Sequence, residues 1–262
     1  MTDLISARLD LARRIAAEAG QRALSFFRNR EALVIETKAS PQDIVSRADR
    51  EVEDMIRARI GASFPQDAIL GEEAGASAGS SGFTWVIDPI DGTSPFLAGL
   101  PHWCVAIAVV HEAETVAGVI DVPMAGEQFH SLRGGGAWVN ETRLSVRADA
   151  TVRNSMVAIG ASHRTDPAHI TGIIQRLMAA GGIFYRNGSG ALMLASVAAG
   201  RLGGYYEPHM HPWDCLAALL MIEEAGGRAL PLPGPLADGG KILGTAPGLW
   251  EELRELTGGG AG

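Results

Sequence analysis

The sequence predicts an α+β chain whose two halves follow different rhythms. Three observations carry this. Apolar residues recur at helical spacing over the first sixty positions, four strand-like runs follow one another between residues 102 and 146, and strands alternate with helices from about residue 155. The change predicts two subdomains, residues 1–150 and 151–262, joined near residues 148–154. At 262 residues the chain is long enough for two such units sharing one site.

In the first half, Leu4, Leu11, Ile15, Ala19, Ala23 and Phe27 line one face of a long helix, with Arg13, Arg14, Glu18 and Arg22 on the other. A short strand from residue 34 runs into a polar turn. A second helix follows, with Ile44, Ala48, Val52, Met55, Ile56 and Ile60 on its stripe. Ser46 and Asp49, three apart, have the form of a capping box with Asp in place of Glu. An apolar run at 68–70 closes on Gly71-Glu72-Glu73, and the small residues 74–82 predict a mobile loop. Strands at 102–111, 114–122, 126–132 and 137–146, with turns at 111–114 and 133–136, predict an antiparallel meander. In the second half, strands are expected at 156–160, 183–185, 202–206, 228–232 and 241–243. Helices are expected at 167–180, 189–199, 213–225 and 248–256.

The totals narrow the function classes. A net charge of −8 argues against a nucleic-acid partner, and an acidic protein acting on an anion needs cations to mediate the encounter. Cys104 and Cys215, far apart and outside any CxxC, read as buried, reduced thiols. With neither a signal-peptide pattern nor a long apolar run, no membrane association is expected, and the expected location is cytoplasmic.

The chemistry concentrates at residues 85–96. Trp85-Val86-Ile87 reads as a buried strand ending in a turn that carries Asp88 and Asp91. Pro89 fixes φ and Gly92 lets the chain fold back, so both carboxylates face nearly one point. Two hard anionic ligands there suit Mg²⁺. Thr93 or Ser94 with Pro95 can open a helix that aims N–H groups at an anion. Taken alone, a bare DxxD is more often a polar turn between core elements than a metal site. Glu72-Glu73 is a second acidic strand end. Asp214 opens a helix, where the macrodipole by itself favours an acid. Gly188-Ser189-Gly190 precedes an apolar helix, as an N-cap or as a site for an anion or hydroxyl. His209 and His211 have the spacing of a zinc pair, but no HExxH or cysteine ligand accompanies them.

Together these stretches resemble the inositol monophosphatase family. Asp88-Pro89-Ile90-Asp91-Gly92-Thr93-Ser94-Pro95-Phe96 is similar to its D-P-I-D-G-T-x-x-F signature, and Trp213-Asp214 with Glu224-Ala225-Gly226-Gly227 to its W-D and E-A-G-G. Gly71-Glu72-Glu73 resembles its G-E-E, and residues 38–43 its K-x-S-P-x-D. The resemblance implies a five-layered αβαβα sandwich and Mg²⁺-dependent hydrolysis of a phosphate monoester, with two or three ions. It implies that Glu72, Asp88, Asp91, Asp214 and the Ile90 carbonyl are metal ligands, with Glu73 a ligand or beside one. Gly92 and Thr93 would face the phosphate, Thr93 and Glu72 would orient the attacking water, and Lys38 and Asp49 would line the metal and water network. Gly188, Ser189 and Glu207 would meet the substrate's hydroxyls, and Asp214 lies at the same pocket. Myo-inositol 1-phosphate is the expected substrate, histidinol phosphate the alternative, and a homodimer the expected assembly. Two positions depart from the family pattern: Gly190, where many members have alanine, and Ser94-Pro95, in place of a common Thr-Asn.

Other classes fit less well. The aspartyl-phosphate D-x-D-G pattern has one residue fewer between its acids. An EF-hand loop counted from Asp88 would need glycine at Thr93 and glutamate at Gly99. No P-loop or GxGxxG is present. A regulatory binding role with residual phosphatase activity remains as a different kind of function.

Overall fold

The computed structural model describes residues 2–30, 35–37, 44–162, 164–233, 236 and 238–258; Lys38 and most of the polar turn around it lie outside these. Helix α1 (Thr2–Arg28) buries Ile15, Ala19, Ala23 and Phe27 of the stripe read from the sequence, while Leu4 at its start is exposed and Leu11 only half-buried. Ala12, Ala16, Gly20 and Leu24 are buried beside them, and so is one charged residue, Arg8. Strands β1 (Ile35–Thr37) and β2 (Ile44–Ser46) form an antiparallel pair ahead of α2 (Arg47–Ser63). Ile44 is therefore in a strand and not on the helix stripe, because Ser46 begins the helix as its N-cap. The predicted capping box is present, with Asp49 accepting from the Ser46 N–H at 2.8 Å.

Eight strands between residues 68 and 143 form the larger sheet. They are β3 (Ala68–Gly71), β4 (Gly75–Ser77), β5 (Phe83–Asp91), β6 (Cys104–His111), β7 (Glu114–Val122), β8 (Glu127–Leu132), β9 (Gly136–Val139) and β10 (Thr142–Arg143). The order is β10-β9-β8-β7-β6-β5-β3-β4, antiparallel except for the β3–β5 pair. The meander is as predicted as far as residue 139; the strand expected over 137–146 is broken by a turn at 140–141 into β9 and β10. The segment expected to be mobile is instead paired: Gly75–Ser77 bonds back to β3, and the Ser80 and Ser81 N–H groups donate to the Gln66 carbonyl. Its small residues allow this, since Gly79 lies directly on the backbone of residues 66–68.

The second sheet contains β11 (Met156–Ile159), β12 (Ile183–Tyr185), β13 (Gly204–Met210), β14 (Arg228–Ala229) and β15 (Gly240–Thr245), in the order β12-β11-β13-β15-β14. The intervening helices are α3 (Thr93–Ala98), α4 (Pro167–Ala179), α5 (Gly190–Ala198), α6 (Pro212–Glu224) and α7 (Trp250–Leu256).

Side-chain alternation gives the layers. On β6, Val105, Ile107 and Val109 pack with α1 and α2, whereas Cys104, Ala106, Ala108 and Val110 pack with α5 and α6. Helices α5 and α6 are apolar nearly all round and lie between the sheets, the environment such a helix requires. The outer face of the second sheet buries Val157, Ile159, Tyr206 and Leu243 against α4 and α7. The fold is thus the αβαβα sandwich, with α1 and α2 outermost on one side and α4 and α7 on the other. No helix among the described residues is long and apolar enough to cross a membrane.

Candidate active site

The acidic stretch is positioned by a break in strand pairing. Strand β5 continues past Ile87: Asp88 pairs with Ala106 and Asp91 with Cys104, and the register shifts between them. Pro89, which has no N–H to give the ladder, lies in this bulge. The expected turn is therefore a bulged strand, and it holds the two carboxylates on one side. The Asp88 Oδ1 accepts from the Ile90 N–H at 2.9 Å. Gly92 follows with φ of 92°, capping α3. A side chain there would meet the His102 carbonyl oxygen at 2.7 Å as well as being strained.

Glu72 arrives from the neighbouring parallel strand. Gly71 pairs with Ile87, and the Glu72 N–H donates to the Ile87 carbonyl at 3.3 Å, so the acid emerges beside Asp88. The Glu72-Glu73 turn is held by Glu53, which the sequence reading missed. Glu53 is buried in α2, accepts from the N–H groups of Glu73 (2.8 Å) and Ala74 (3.0 Å), and is bonded by Arg57 at 2.7 Å. The available signal was an acid flanked by Val52 and Ile56, with an arginine four residues on.

Asp214 comes from the first turn of α6, across the interface between the two sheets, and accepts from the His211 N–H at 3.2 Å. Its carboxylate and those of Asp88 and Asp91 have oxygens within 4.8 Å of one another. Burial pushes all three pKa values up. For Asp88, the charges of Glu72, Asp91, Asp214 and Asp49 then push further; for Asp214, those of Asp91, Glu72 and Glu207. Among the described residues, no lysine or arginine pairs with these three carboxylates. Clustered hard oxygens of like charge fit a hard divalent cation. His209 and His211 are not part of the cluster, and both cysteines are free and buried.

Asp91 is also fixed from the far side. Its Oδ2 accepts from the Ser189 hydroxyl and from the Ala191 N–H at 2.8 Å, and its Oδ1 from the Gly190 N–H at 3.3 Å. Ser189, fully buried, caps α5 by accepting from the Leu192 N–H at 3.3 Å. Its hydroxyl is thus turned to Asp91, while Gly188 and Gly190 line the adjoining cavity of about 140 Å³. The Thr93 hydroxyl lies 3.2 Å from the Ile90 carbonyl and 3.3 Å from Asp49 Oδ1. Asp49 is buried, which raises its pKa.

The same cavity is walled by Asp91, Asp214, Glu207, Arg164 and Arg186. Burial pushes Glu207 up to about 7, against the bond it accepts from the Tyr205 hydroxyl and the nearby Arg186 charge. The structure thus brings Glu72, Asp88, Ile90, Asp91, Gly92, Thr93, Asp49 and Asp214 together, with Gly188, Ser189 and Glu207 beside them. Glu73 is turned onto Glu53 through its backbone. A larger hollow, about 390 Å³, lies elsewhere, between Met124, Met156 and Leu192.

Comparison with known proteins bears on this arrangement. A profile of the inositol monophosphatase family matches residues 5–257. The chain belongs to the inositol monophosphatase family. It is a phosphoric monoester hydrolase of that metal-dependent family. It is 37% identical over 243 residues to an inositol-1-monophosphatase of Mesorhizobium japonicum, covering 91% of each chain. It is also 37% identical over 223 residues to a Nus factor SuhB of Haemophilus influenzae, covering 84% of this chain and 83% of that protein. Among solved structures, an IMPase of Thermotoga maritima superposes with a TM-score of 0.86 at 27% identity, covering 97% of both chains.

Proposed function

We propose that the chain hydrolyses a small polyol phosphate, myo-inositol 1-phosphate first among them, with Mg²⁺ as its metal. The observation that carries this reading is the meeting of Asp88, Asp91 and Asp214 within 4.8 Å, with Asp91 and Asp214 lining a cavity that also holds Glu207. In this reading Glu72, Asp88, Asp91, Asp214 and the Ile90 carbonyl hold two or three Mg²⁺ ions, with Glu73 at the edge of the set. Bound there, the ions would neutralise phosphate charge and lower the pKa of a water. Thr93 and Glu72 orient the attacking water, Asp49 fixes the Thr93 hydroxyl, and Lys38 belongs to the same network. The Gly92 and Thr93 N–H groups face the phosphate. Gly188, Gly190 and Glu207 receive the alcohol, and Ser189 acts on it through Asp91. Residues 1–150 and 151–262 serve as two subdomains, each supplying part of the site.

Glu207 would accept a hydroxyl or hold an ammonium, which keeps histidinol phosphate as the alternative. Arg164 and Arg186 at the same cavity weigh against a cationic alcohol. Measuring kcat/KM for myo-inositol 1-phosphate, a hexose phosphate and histidinol phosphate, each with Mg²⁺, tests the choice. A preference for histidinol phosphate would overturn the polyol reading. Homodimerisation belongs to the same proposal: Met124, Met156, Ile183 and Phe184 are large apolar side chains exposed to solvent. Sedimentation as a monomer at micromolar concentration would contradict it. The SuhB-named relatives raise a second reading, a regulatory binding role. Pull-down with an inactive Asp91→Asn variant addresses it.

A further inference from the structure

Strand β13 places Tyr205 and Glu207 two residues apart, so both side chains leave the sheet on the same face while Tyr206 leaves on the other. The consequences differ sharply. Tyr206 enters the outer core, its hydroxyl 3.0 Å from His169 Nε2. Tyr205 is fully buried in the central core, and its hydroxyl donates to Glu207 Oε2. Among the described residues, Tyr205 is the hydrogen-bond donor to Glu207, and it engages one carboxylate oxygen.

The space for this pair is created next door. Gly160 continues β11 and donates its N–H to the Tyr206 carbonyl at 2.8 Å. A Cβ on Gly160 would overlap both the Glu207 carboxylate and the Tyr205 hydroxyl. Gly190 leaves room for the Met210 methyl, and a Cβ there would lie 3.4 Å from the Tyr205 hydroxyl. The carboxylate is therefore set between the Tyr205 hydroxyl and Gly160, while Gly190 leaves the space beside that hydroxyl.

We infer that Tyr205 is a positioning residue for substrate selection: its hydroxyl pins one oxygen of Glu207 so that the other is presented to a hydroxyl of the substrate's alcohol. This rests on the reading of the cavity as the alcohol pocket. A buried phenol is a suitable clamp because it remains a donor, and its rigid ring, packed in the core, fixes where the hydroxyl lies. Without the clamp, Glu207 has alternative rotamers, and the geometry of hydroxyl recognition is lost while the acidic cluster is untouched.

The test compares metal-loaded enzymes on myo-inositol 1-phosphate and on phenyl phosphate, whose alcohol part carries no further hydroxyl. Tyr205→Phe should lower the ratio of the two kcat/KM values on the order of ten-fold, the loss of one hydrogen bond to a charged group, mainly through KM for the polyol ester. Tyr206→Phe should leave the ratio at its wild-type value. In a Glu207→Gln background, Tyr205→Phe should lower the ratio no further, since it acts through Glu207. Gly160→Ala should reproduce the split by displacing the same carboxylate. An unchanged ratio in Tyr205→Phe, or equal losses on both esters, overturns the inference and leaves the polyol reading standing. A wild-type enzyme that does not prefer the polyol ester overturns both.

Discussion

Asp91 and Ser189, 98 residues apart in sequence, are joined by a buried hydrogen bond that runs from one sheet of the molecule to the helix packed against it. The same serine caps α5, so one hydroxyl fixes both a helix end and an acid of the site. Ser189→Ala should cost about 1–2 kcal/mol of stability through the lost cap and bond. It should also weaken Mg²⁺ binding on the order of ten-fold, as loss of a partner behind a metal ligand does. Calorimetric titration with Mg²⁺ measures the second effect. An unchanged affinity would show that Asp91 needs no such support.

Mutual repulsion among Asp88, Asp91 and Asp214 predicts that the metal-free protein is strained at this point. Mg²⁺ at a hundred times its Kd should add about 2.7 kcal/mol, a rise of several degrees in Tm. Asp214→Asn should melt higher than wild type in chelator and gain little from Mg²⁺. Thermal melts of both proteins with and without metal decide this; an equal Mg²⁺ shift in the variant would remove Asp214 from the ligand set.

Arg8 offers a contrast in which stability is separated from chemistry. Its guanidinium makes two 2.8 Å bonds to Asp67 in the interior and lies 3.6 Å from the centre of the Phe83 ring. Asp67 also accepts from Ser81 and from the Trp85 indole, at 2.6 and 2.8 Å. Arg8→Ala would leave that carboxylate buried and short of its cation, costing about 3–5 kcal/mol. The kcat of the protein that remains folded should stay close to wild type. Urea unfolding alongside rates at low temperature separates the two quantities.

Asp121 governs a pH window. Burial raises its carboxyl to about 6, with one bond from Gln128 opposing the rise. In the unfolded chain the group titrates near 3.9. Between those values the folded protein holds the proton that the unfolded chain releases, so stability from this group falls as pH rises from about 4 through 6. Asp121→Asn should be stabilised relative to wild type by about 3 kcal/mol well above pH 6 and by little near pH 4. Urea midpoints at both pH values test the sign; a constant difference would contradict it.

Much of this was legible in the sequence because the relevant signals are local. The stripe of α1, the capping box at Ser46 and Asp49, the meander and the alternation after residue 155 all lie within short windows. What escaped was set by distant partners. Glu53 and Arg8 sit at charged positions that look solvated until Glu73 and Asp67 are brought to them. The bulge at Asp88–Asp91 depends on pairing with β6, and the pairing of Gly75–Ser77 depends on β3. The turn of Ser189 toward Asp91 could not be read from Gly188-Ser189-Gly190, since it needs the far sheet in place. The resemblance supplied the grouping of Glu72, Asp88, Asp91 and Asp214; composition alone left each as a polar turn or a cap.

The central claim is tested most directly by the rate of phosphate release from myo-inositol 1-phosphate as Mg²⁺ is raised, in wild type and in folded Asp91→Asn and Asp214→Asn variants. The account predicts saturable Mg²⁺ dependence in wild type. It predicts a fall in kcat/KM on the order of a thousand-fold in each variant, several kcal/mol of transition-state stabilisation. Full Mg²⁺-dependent turnover in either folded variant would contradict it.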